Sequence, residues 1–362
     1  MHVEEPRSEQ ALPAAHKIVI RSRAPLRISF CGGGTDVPPY PEQFGGCVLS
    51  CTIDKYAYVS LRPRSDDSIH VRSLDANVDI AYQPHANGAA DGKLDLATAI
   101  FRRFGASGLD VFMHSDAQPG SGLGSSSAMI AALSGGLARW KNIHYSPYEL
   151  AGLACAIERD DLQIVGGYQD QYAAVFGGFN FIEFSGAGVE VTPLRLPYET
   201  IDELHYHLLL CDTGKTRLSS NILKEQTANV VQRTGDTLQS LHTLKAMTVA
   251  MKAALLRGKL MDFGDLLHNA WLAKRKLASS ISNGQIDELY SAGRAAGATG
   301  GKILGAGGGG YLLFFVPFTR RERVARALTA AGCGVTSFAF FQGGTRTWAA
   351  SPDTWVDATP TA

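Results

Sequence analysis

The stretch Pro119-Gly120-Ser121-Gly122-Leu123-Gly124-Ser125-Ser126-Ser127-Ala128 concentrates the residue types best suited to chemistry. Glycines let a backbone wrap closely around a ligand, because no Cβ blocks the approach. The apolar run Met129-Ile130-Ala131-Ala132-Leu133 follows at once and predicts a helix. Its first turn would present unpaired N–H groups and the positive end of the helix dipole. A glycine loop that opens such a helix is a cradle for phosphate. A flexible Gly/Ser linker would not run directly into so apolar a helix. The loop also lacks the lysine of the G-x-x-x-x-G-K-[ST] pattern, since Ser125 stands in its place. Ser125 equally occupies the third-glycine position of a dinucleotide fingerprint. The loop therefore predicts a triphosphate site of another kind, with serine hydroxyls instead of the lysine.

Two other glycine-rich segments flank it in sequence. Arg23-Ala24-Pro25-Leu26-Arg27-Ile28-Ser29-Phe30-Cys31-Gly32-Gly33-Gly34-Thr35-Asp36 places a cation within an apolar strand and a carboxylate after a glycine turn. Asp36 suits sugar hydroxyls, because a carboxylate only accepts hydrogen bonds. A capping role is the alternative. Gly305-Ala306-Gly307-Gly308-Gly309-Gly310 precedes the strand pattern Tyr311 to Val316. It reads as a second backbone surface near the phosphates or the acceptor, or as a tight turn. Lys215 and Arg217 follow Thr213-Gly214, and Lys274 and Arg275 lie in a helical pattern. An arginine at such a turn grips phosphate through its planar fork. A solvated basic turn is the alternative.

The elements that must position these residues alternate in type. Strands are predicted over Lys17–Ser22, Arg23–Cys31, Cys51–Arg62, Leu109–His114, Phe179–Phe184, His205–Cys211, Tyr311–Val316 and Val335–Phe341. Helices are predicted over Leu94–Phe104, Ala128–Trp140, Pro147–Arg159 with Ser146 as N-cap, Met261–Ser280, Ile286–Gly297 and Arg320–Ala331. Asn221–Arg257 reads as one long, mostly helical stretch. This mixture predicts an α+β chain of two lobes. Residues 1–16 form a tail, 17–197 an N-terminal lobe and 198–362 a C-terminal lobe.

Composition narrows the function classes. The 362 residues suffice for about two domains. Lysine plus arginine equals aspartate plus glutamate at 34 each, which argues against a nucleic-acid binder. None of the six cysteines forms a C-x-x-C pair, so neither a zinc site nor a thioredoxin motif is indicated. No apolar run approaches a membrane span, and Met1 to Gln10 is unlike a signal peptide. A cytoplasmic protein with reduced thiols is expected.

Taken in order, the three glycine segments resemble the motifs of the GHMP kinases. Ala24-Pro25-Leu26-Arg27 is similar to the first motif, A-P-G-R/K, with Leu26 replacing the usual glycine. Pro119 to Ser126 resembles P-x-x-x-G-L-G-S-S, with two residues instead of three between the proline and Gly122-Leu123-Gly124-Ser125-Ser126, and residues 305–310 stand where the third motif falls. The resemblance implies a ribosomal protein S5 domain 2-like N-terminal lobe and a ferredoxin-like C-terminal lobe, with ATP between them. It implies that Pro119, Gly120, Ser121, Gly122, Leu123, Gly124, Ser125, Ser126 and Ser127 hold ATP. By the same carry-over Ser126 and Glu158 hold Mg²⁺. Asp170 is implied as the catalytic base, and Arg27 as a second catalytic residue. Gly33, Gly34, Thr35, Asp36, Asp170, Lys215, Arg217, Gly307 and Gly308 are implied at the acceptor. Without the resemblance, Glu158 reads as a surface helix residue.

Within the family, Gly32 to Tyr40, Thr213 to Ser220 and Ala270 to Arg275 are most similar to the heptose phosphate kinases. That branch implies transfer to the anomeric hydroxyl of D-glycero-D-manno-heptose 7-phosphate, for GDP-heptose and surface polysaccharide synthesis. Fucokinases share the G-G-x-T-D-x-P-P form. A kinase of a free sugar such as L-fucose or mannose, or a non-catalytic sugar/ATP sensor, is the alternative. The implied partners are a sugar or sugar phosphate and ATP, with no nucleic acid, no membrane and a possible homodimer.

Overall fold

The computed structural model describes residues 18–74, 77–82, 95–216, 219–232 and 236–355. The expected tail over 1–16 and Arg217 lie outside the described residues. The N-terminal half contributes strands β1 (Val19–Cys31), β2 (Gly46–Pro63), β3 (Ile69–Ser73), β4 (Val78–Tyr82), β5 (Leu109–Ser115), β6 (Phe179–Ser185) and β7 (Gly188–Pro193). Its helices are α1 (Tyr40–Phe44), α2 (Asp95–Phe104), α3 (Ser125–Trp140), α4 (Pro147–Ala156) and α5 (Gln169–Phe176). The C-terminal half adds β8 (Leu208–Asp212), β9 (Gly300–Ile303), β10 (Tyr311–Phe315), β11 (Gly334–Thr336) and β12 (Arg346–Ala350). Its helices are α6 (Tyr198–His207), α7 (Ser219–Val231), α8 (Thr237–Leu256), α9 (Leu260–Lys274), α10 (Gly284–Ala296) and α11 (Arg321–Ala330).

Among the described residues the strands form two sheets. The larger runs β12-β1-β2-β5-β3-β4, with β6 pairing both β2 and β7. The smaller runs β11-β8-β10-β9, all antiparallel. Helix α3 packs on β1 and β2 through buried small and apolar residues, which is why its sequence is apolar on nearly every face. The two sheets meet at β1. Phe30 lies edge-on to Phe263 of α9 at 5.4 Å, and Lys302 of β9 donates to the Ser29 carbonyl at 2.5 Å.

Several expected boundaries move. Of the two expected strands Lys17–Ser22 and Arg23–Cys31, Lys17 lies outside the described residues, and Val19–Cys31 is one strand, β1, because Pro25 is accommodated at a shift in its register with β2 rather than ending it. The expected His205–Cys211 strand begins as the last turn of α6. Asn221–Arg257 is two helices, α7 and α8. The expected Met261–Ser280 helix stops at Lys274, and Val335–Phe341 is strand only as far as Thr336. Strands β3, β4, β7 and β9, of four to six residues, were not expected. The final strand β12 leaves the C-terminal half and pairs antiparallel with β1. Ser146 caps α4 as expected: its Oγ accepts from Glu149 N at 3.3 Å, and Glu149 accepts from Ser146 N at 2.7 Å. All six cysteines are buried and unpaired. No helix of the described residues is long and apolar enough to cross a membrane.

Candidate active site

The serine loop joins β5 to α3. Gly120, Gly122 and Gly124 have φ of 79°, 84° and 76°, a region that favours glycine, so the backbone zigzags tightly before the helix begins at Ser125. The expected helix over Ala128–Trp140 thus starts three residues early, which places all three serines in its first turn. Ser126 is half-buried and faces a cleft of about 460 Å³. Ser125 turns back, donating to the Gln118 carbonyl at 3.1 Å. Pro119, Gly120, Gly122, Gly124, Ser125, Ser126 and Ser127 line the cleft. Ser121 and Leu123 do not; they are buried behind it. Their carbonyls brace the loop, accepting from Tyr311 N and Arg27 N at 3.0 Å each.

Arg27 follows the register shift in β1 and is 3% exposed. A bulge of this kind kinks a strand and re-aims its side chains. One guanidinium nitrogen donates to the Gly122 carbonyl at 2.6 Å. Two others reach Asp170 Oδ1, at 2.7 Å from Nε and 2.6 Å from the second terminal nitrogen. Asp170 lies in the first turn of α5 and lines the cleft.

Glu158 falls in a π-helical turn, Ile157–Asp161, that continues α4. The wider turn carries it inward, so it is 6% exposed rather than a surface residue. Ser127 donates to Glu158 Oε2 at 3.0 Å, Gln171 donates a short bond to the same oxygen, and an Arg159 nitrogen is 3.6 Å away from it. These contacts all fall on Oε2. Burial pushes the Glu158 carboxyl up; Arg159 opposes this and Asp170 adds to it. Among the described residues no group of three or more His, Cys, Asp and Glu side chains is arranged to hold a metal. Mg²⁺ needs no such group, since it takes one or two protein oxygens and fills its shell with phosphate and water. Glu158 Oε1 and the Ser126 hydroxyl, both on the cleft wall, fit that pattern.

Asp36 is 1% exposed at the cleft floor. It accepts from Gly34 N at 2.9 Å, Gln169 N at 3.2 Å and Gln169 Nε2 at 3.0 Å. Burial pushes its carboxyl up, and the nearby Asp170 adds to this, while the Gly34 and Gln169 donors lower it. Gly33 and Gly34 line the cleft, but Thr35 does not. Its hydroxyl is taken up by backbone, 2.9 Å from Gly32 O and 3.0 Å from Cys47 N, so it fixes the turn. Lys274, at the end of α9, is buried beside Asp36 and donates to the Gly305 carbonyl.

With this geometry in hand, the likeness to known proteins is specific. Residues 93–178 match the GHMP kinases N terminal domain, and residues 251–333 match the GHMP kinases C terminal family. The chain is 36% identical over 338 residues to D-glycero-alpha-D-manno-heptose 7-phosphate kinase of Campylobacter jejuni, across 91% of this chain and 98% of that protein. This chain is a GHMP kinase. It is also similar to the crystal structure of a D-glycero-D-manno-heptose 1-phosphate kinase from Bacteriodes thetaiotaomicron, with TM-score 0.77 and 32% identity over 91% of this chain and 98% of that one. L-fucokinase/L-fucose-1-P guanylyltransferase of Bacteroides fragilis is 28% identical over 81% of this chain but only 34% of its own length.

The kinase fold separates the remaining expected site residues. Gly305 and Ala306 line the cleft, whereas Gly307 and Gly308 do not. Gly307 lies against Ile281, and Gly308 N donates to the Ile281 carbonyl at 2.9 Å, so this part of the loop is scaffold. Lys215 is exposed away from the cleft lining, with its carbonyl accepting from Gly310 N at 2.6 Å. Arg275 is held at the surface by Asp287 at 2.9 Å. Among the described residues the cleft cations are Arg27, Arg159, Lys224 and Lys274. Arg159 donates to the Ile164 and Gly167 carbonyls. Lys224, on α7, has no hydrogen bond or ion pair among the described residues. Sequence reasoning passed over Lys224, Gln169 and the buried Lys302. Lys224 and Lys302 stand in no glycine motif, and Gln169 gave a signal only through its place beside Asp170 in Gly166-Gly167-Tyr168-Gln169-Asp170.

Proposed function

We propose that this GHMP kinase transfers the γ-phosphoryl group of ATP to the anomeric hydroxyl of D-glycero-D-manno-heptose 7-phosphate, giving the 1,7-bisphosphate. The observation that carries the chemistry is the Arg27–Asp170 pair: both guanidinium contacts of this cleft-lining carboxylate fall on Oδ1, and among the described residues no hydrogen bond falls on Oδ2. A hydroxyl that approaches Oδ2 can give up its proton there as its oxygen attacks phosphorus. Arg27 holds the carboxylate in place and ties it to the serine loop through Gly122. The N–H groups of the serine loop and of the first turn of α3 receive phosphate oxygens. Ser126 and Glu158 would hold Mg²⁺, which neutralises phosphate charge when bound. Positioning and charge stabilisation of this kind account for most of the barrier lowering in phosphoryl transfer.

The substrate assignment rests on the similarity to the two heptose phosphate kinases. Their names agree on a heptose monophosphate and differ in the carbon that carries the phosphate. A substrate that brings its own phosphate needs a cation distant from the transferred group, and among the described residues Lys224 is the cleft cation free to serve. The test is ADP release with MgATP and a panel of heptose 7-phosphate, heptose 1-phosphate, L-fucose and D-mannose. The highest kcat/KM is expected on heptose 7-phosphate. Preference for L-fucose or D-mannose would establish a free-sugar kinase, and preference for heptose 1-phosphate would move the acceptor hydroxyl. ATP binding with no turnover on any sugar would favour a sensor.

A further inference from the structure

We propose that Ser29, Gln169 and Lys274 form a hydroxyl-binding subsite above Gly33, which reads one ring hydroxyl of the acceptor other than the one that reacts. This rests on the acceptor being a sugar. Gly33 has no side chain, and the space where a Cβ would stand is walled by three polar groups. Gln169 Nε2 is 3.3 Å from that point, Ser29 Oγ 3.7 Å and Lys274 Nζ 3.8 Å. Gly33, Gln169 and Lys274 all line the cleft.

The hydrogen-bond ledger of these groups is incomplete in one particular way. Ser29 Oγ and Gln169 Oε1 are buried and neither has a partner. Leaving such atoms unmet inside a protein is costly, so native structures rarely do it without a ligand or water to complete them. The other ends of the groups are firmly committed. Gln169 Nε2 donates to Asp36 Oδ2 at 3.0 Å, which fixes the amide so that Oε1 is its acceptor end. Lys274 donates one proton to the Gly305 carbonyl and has two more to give. Asp36 itself is filled by three N–H donors. It therefore acts through Gln169, as a positioning residue.

Gln169 Oε1 belongs to the amide whose Nε2 walls this space with Ser29 and Lys274, so an unmet acceptor and unmet donors meet in one side-chain cluster, and such a cluster selects a group that both donates and accepts. A hydroxyl does so: it gives its proton to Gln169 Oε1 and receives one from Lys274 or Ser29. A phosphate dianion has no proton for Oε1. Gln169 also precedes Asp170 in the first turn of α5, so the residue that reads this hydroxyl and the residue facing the reacting hydroxyl share one rigid element. A shift that misplaces one misplaces the other.

Gly33→Ala tests this directly. Gly33 is not in the left-handed region, so alanine fits its backbone, and the methyl meets its neighbours at 3.3 Å or more. The methyl occupies the subsite. The expected result is a rise of about tenfold or more in KM for heptose 7-phosphate, with KM for ATP within about threefold of wild type. Ser29→Ala is the second variant. It deletes a buried hydroxyl that has no protein partner, so the melting temperature should hold or rise, while KM for the sugar increases several-fold. A purely structural serine, or one that only holds a water, would leave KM unchanged. Sugar KM values within twofold of wild type in Ser29→Ala and in a folded Gly33→Ala would overturn the subsite. If wild type ignores heptose 7-phosphate but takes L-fucose or D-mannose, the substrate reading falls and the same two variants decide the subsite on that sugar. Turnover of no sugar overturns both.

Discussion

Arg27 grips Asp170 by a single oxygen. Nε and one terminal nitrogen both converge on Oδ1, at 2.7 and 2.6 Å, and among the described residues no hydrogen bond engages Oδ2 of this cleft-lining side chain. A symmetric fork-to-fork pair would have occupied both oxygens. The one-sided grip holds the carboxylate without using up the atom that takes the proton.

Asp170→Asn keeps the shape of the side chain and removes its capacity as a base. Turnover should fall by about 10²-fold or more, while equilibrium ATP binding persists. Turnover within threefold of wild type would assign Asp170 to the scaffold.

Glu158→Gln should raise the Mg²⁺ concentration needed for half-maximal rate. The amide can still accept from Ser127, so folding should change little. An unaltered Mg²⁺ titration would make Glu158 a structural acceptor for Ser127 and Gln171.

The serine loop and the third glycine loop touch backbone to backbone. A Cβ on Gly122, at φ 84°, would lie 2.6 Å from the Leu304 carbonyl, and one on Gly305 would lie 2.6 Å from Gly122 Cα. Gly122→Ala combines backbone strain with this clash and should destabilise the fold by roughly 1–3 kcal/mol. Thermal unfolding measures it, and an unchanged midpoint would show that the loops separate freely.

Lys274 predicts a pH dependence with a definite sign. Burial lowers its ammonium from 10.5 to about 8, against an upward pull from Asp36. Below about pH 8 the charged form is present in both states, and folding bears the cost of burying it. Between about pH 8 and 10.5 the unfolded chain holds a proton that the folded chain has lost, so this group's contribution to stability rises with pH. Lys274→Met should therefore be more stable than wild type at pH 7, by at most about 3 kcal/mol. The gap should close as pH rises toward 10. A gap that does not vary with pH would place the lysine in a well-solvated setting.

Lys224→Ala should reduce kcat/KM on heptose 7-phosphate by about tenfold and leave the same heptose without its phosphate nearly unaffected. Equal losses on both sugars would mean that Lys224 serves ATP or the wall of the cleft.

Much of the site was legible because its parts are local. Pro119 to Ser127 is one continuous loop, and the conformations it needs are a property of glycine at 120, 122 and 124. The apolar run behind it determines a helix by itself. The same holds for the Ser146 cap of α4. What the sequence could not determine depends on which distant atoms come within hydrogen-bond reach. Arg27 and Asp170 are 143 residues apart, and only the packing of α5 against β1 makes them a pair. The direction of each serine followed from where α3 actually starts, and the inward turn of Glu158 from a π-helical step that has no sequence signature. Thr35, Gly307 and Gly308 looked like ligand-facing residues in their motifs, yet the fold uses them against its own backbone. Lys274 reached the site from a helix far along the chain, and Lys302 was drawn into the seam between the sheets. A motif fixes backbone shape over a few residues. The partners of a buried charge are fixed by burial itself, which belongs to the whole fold.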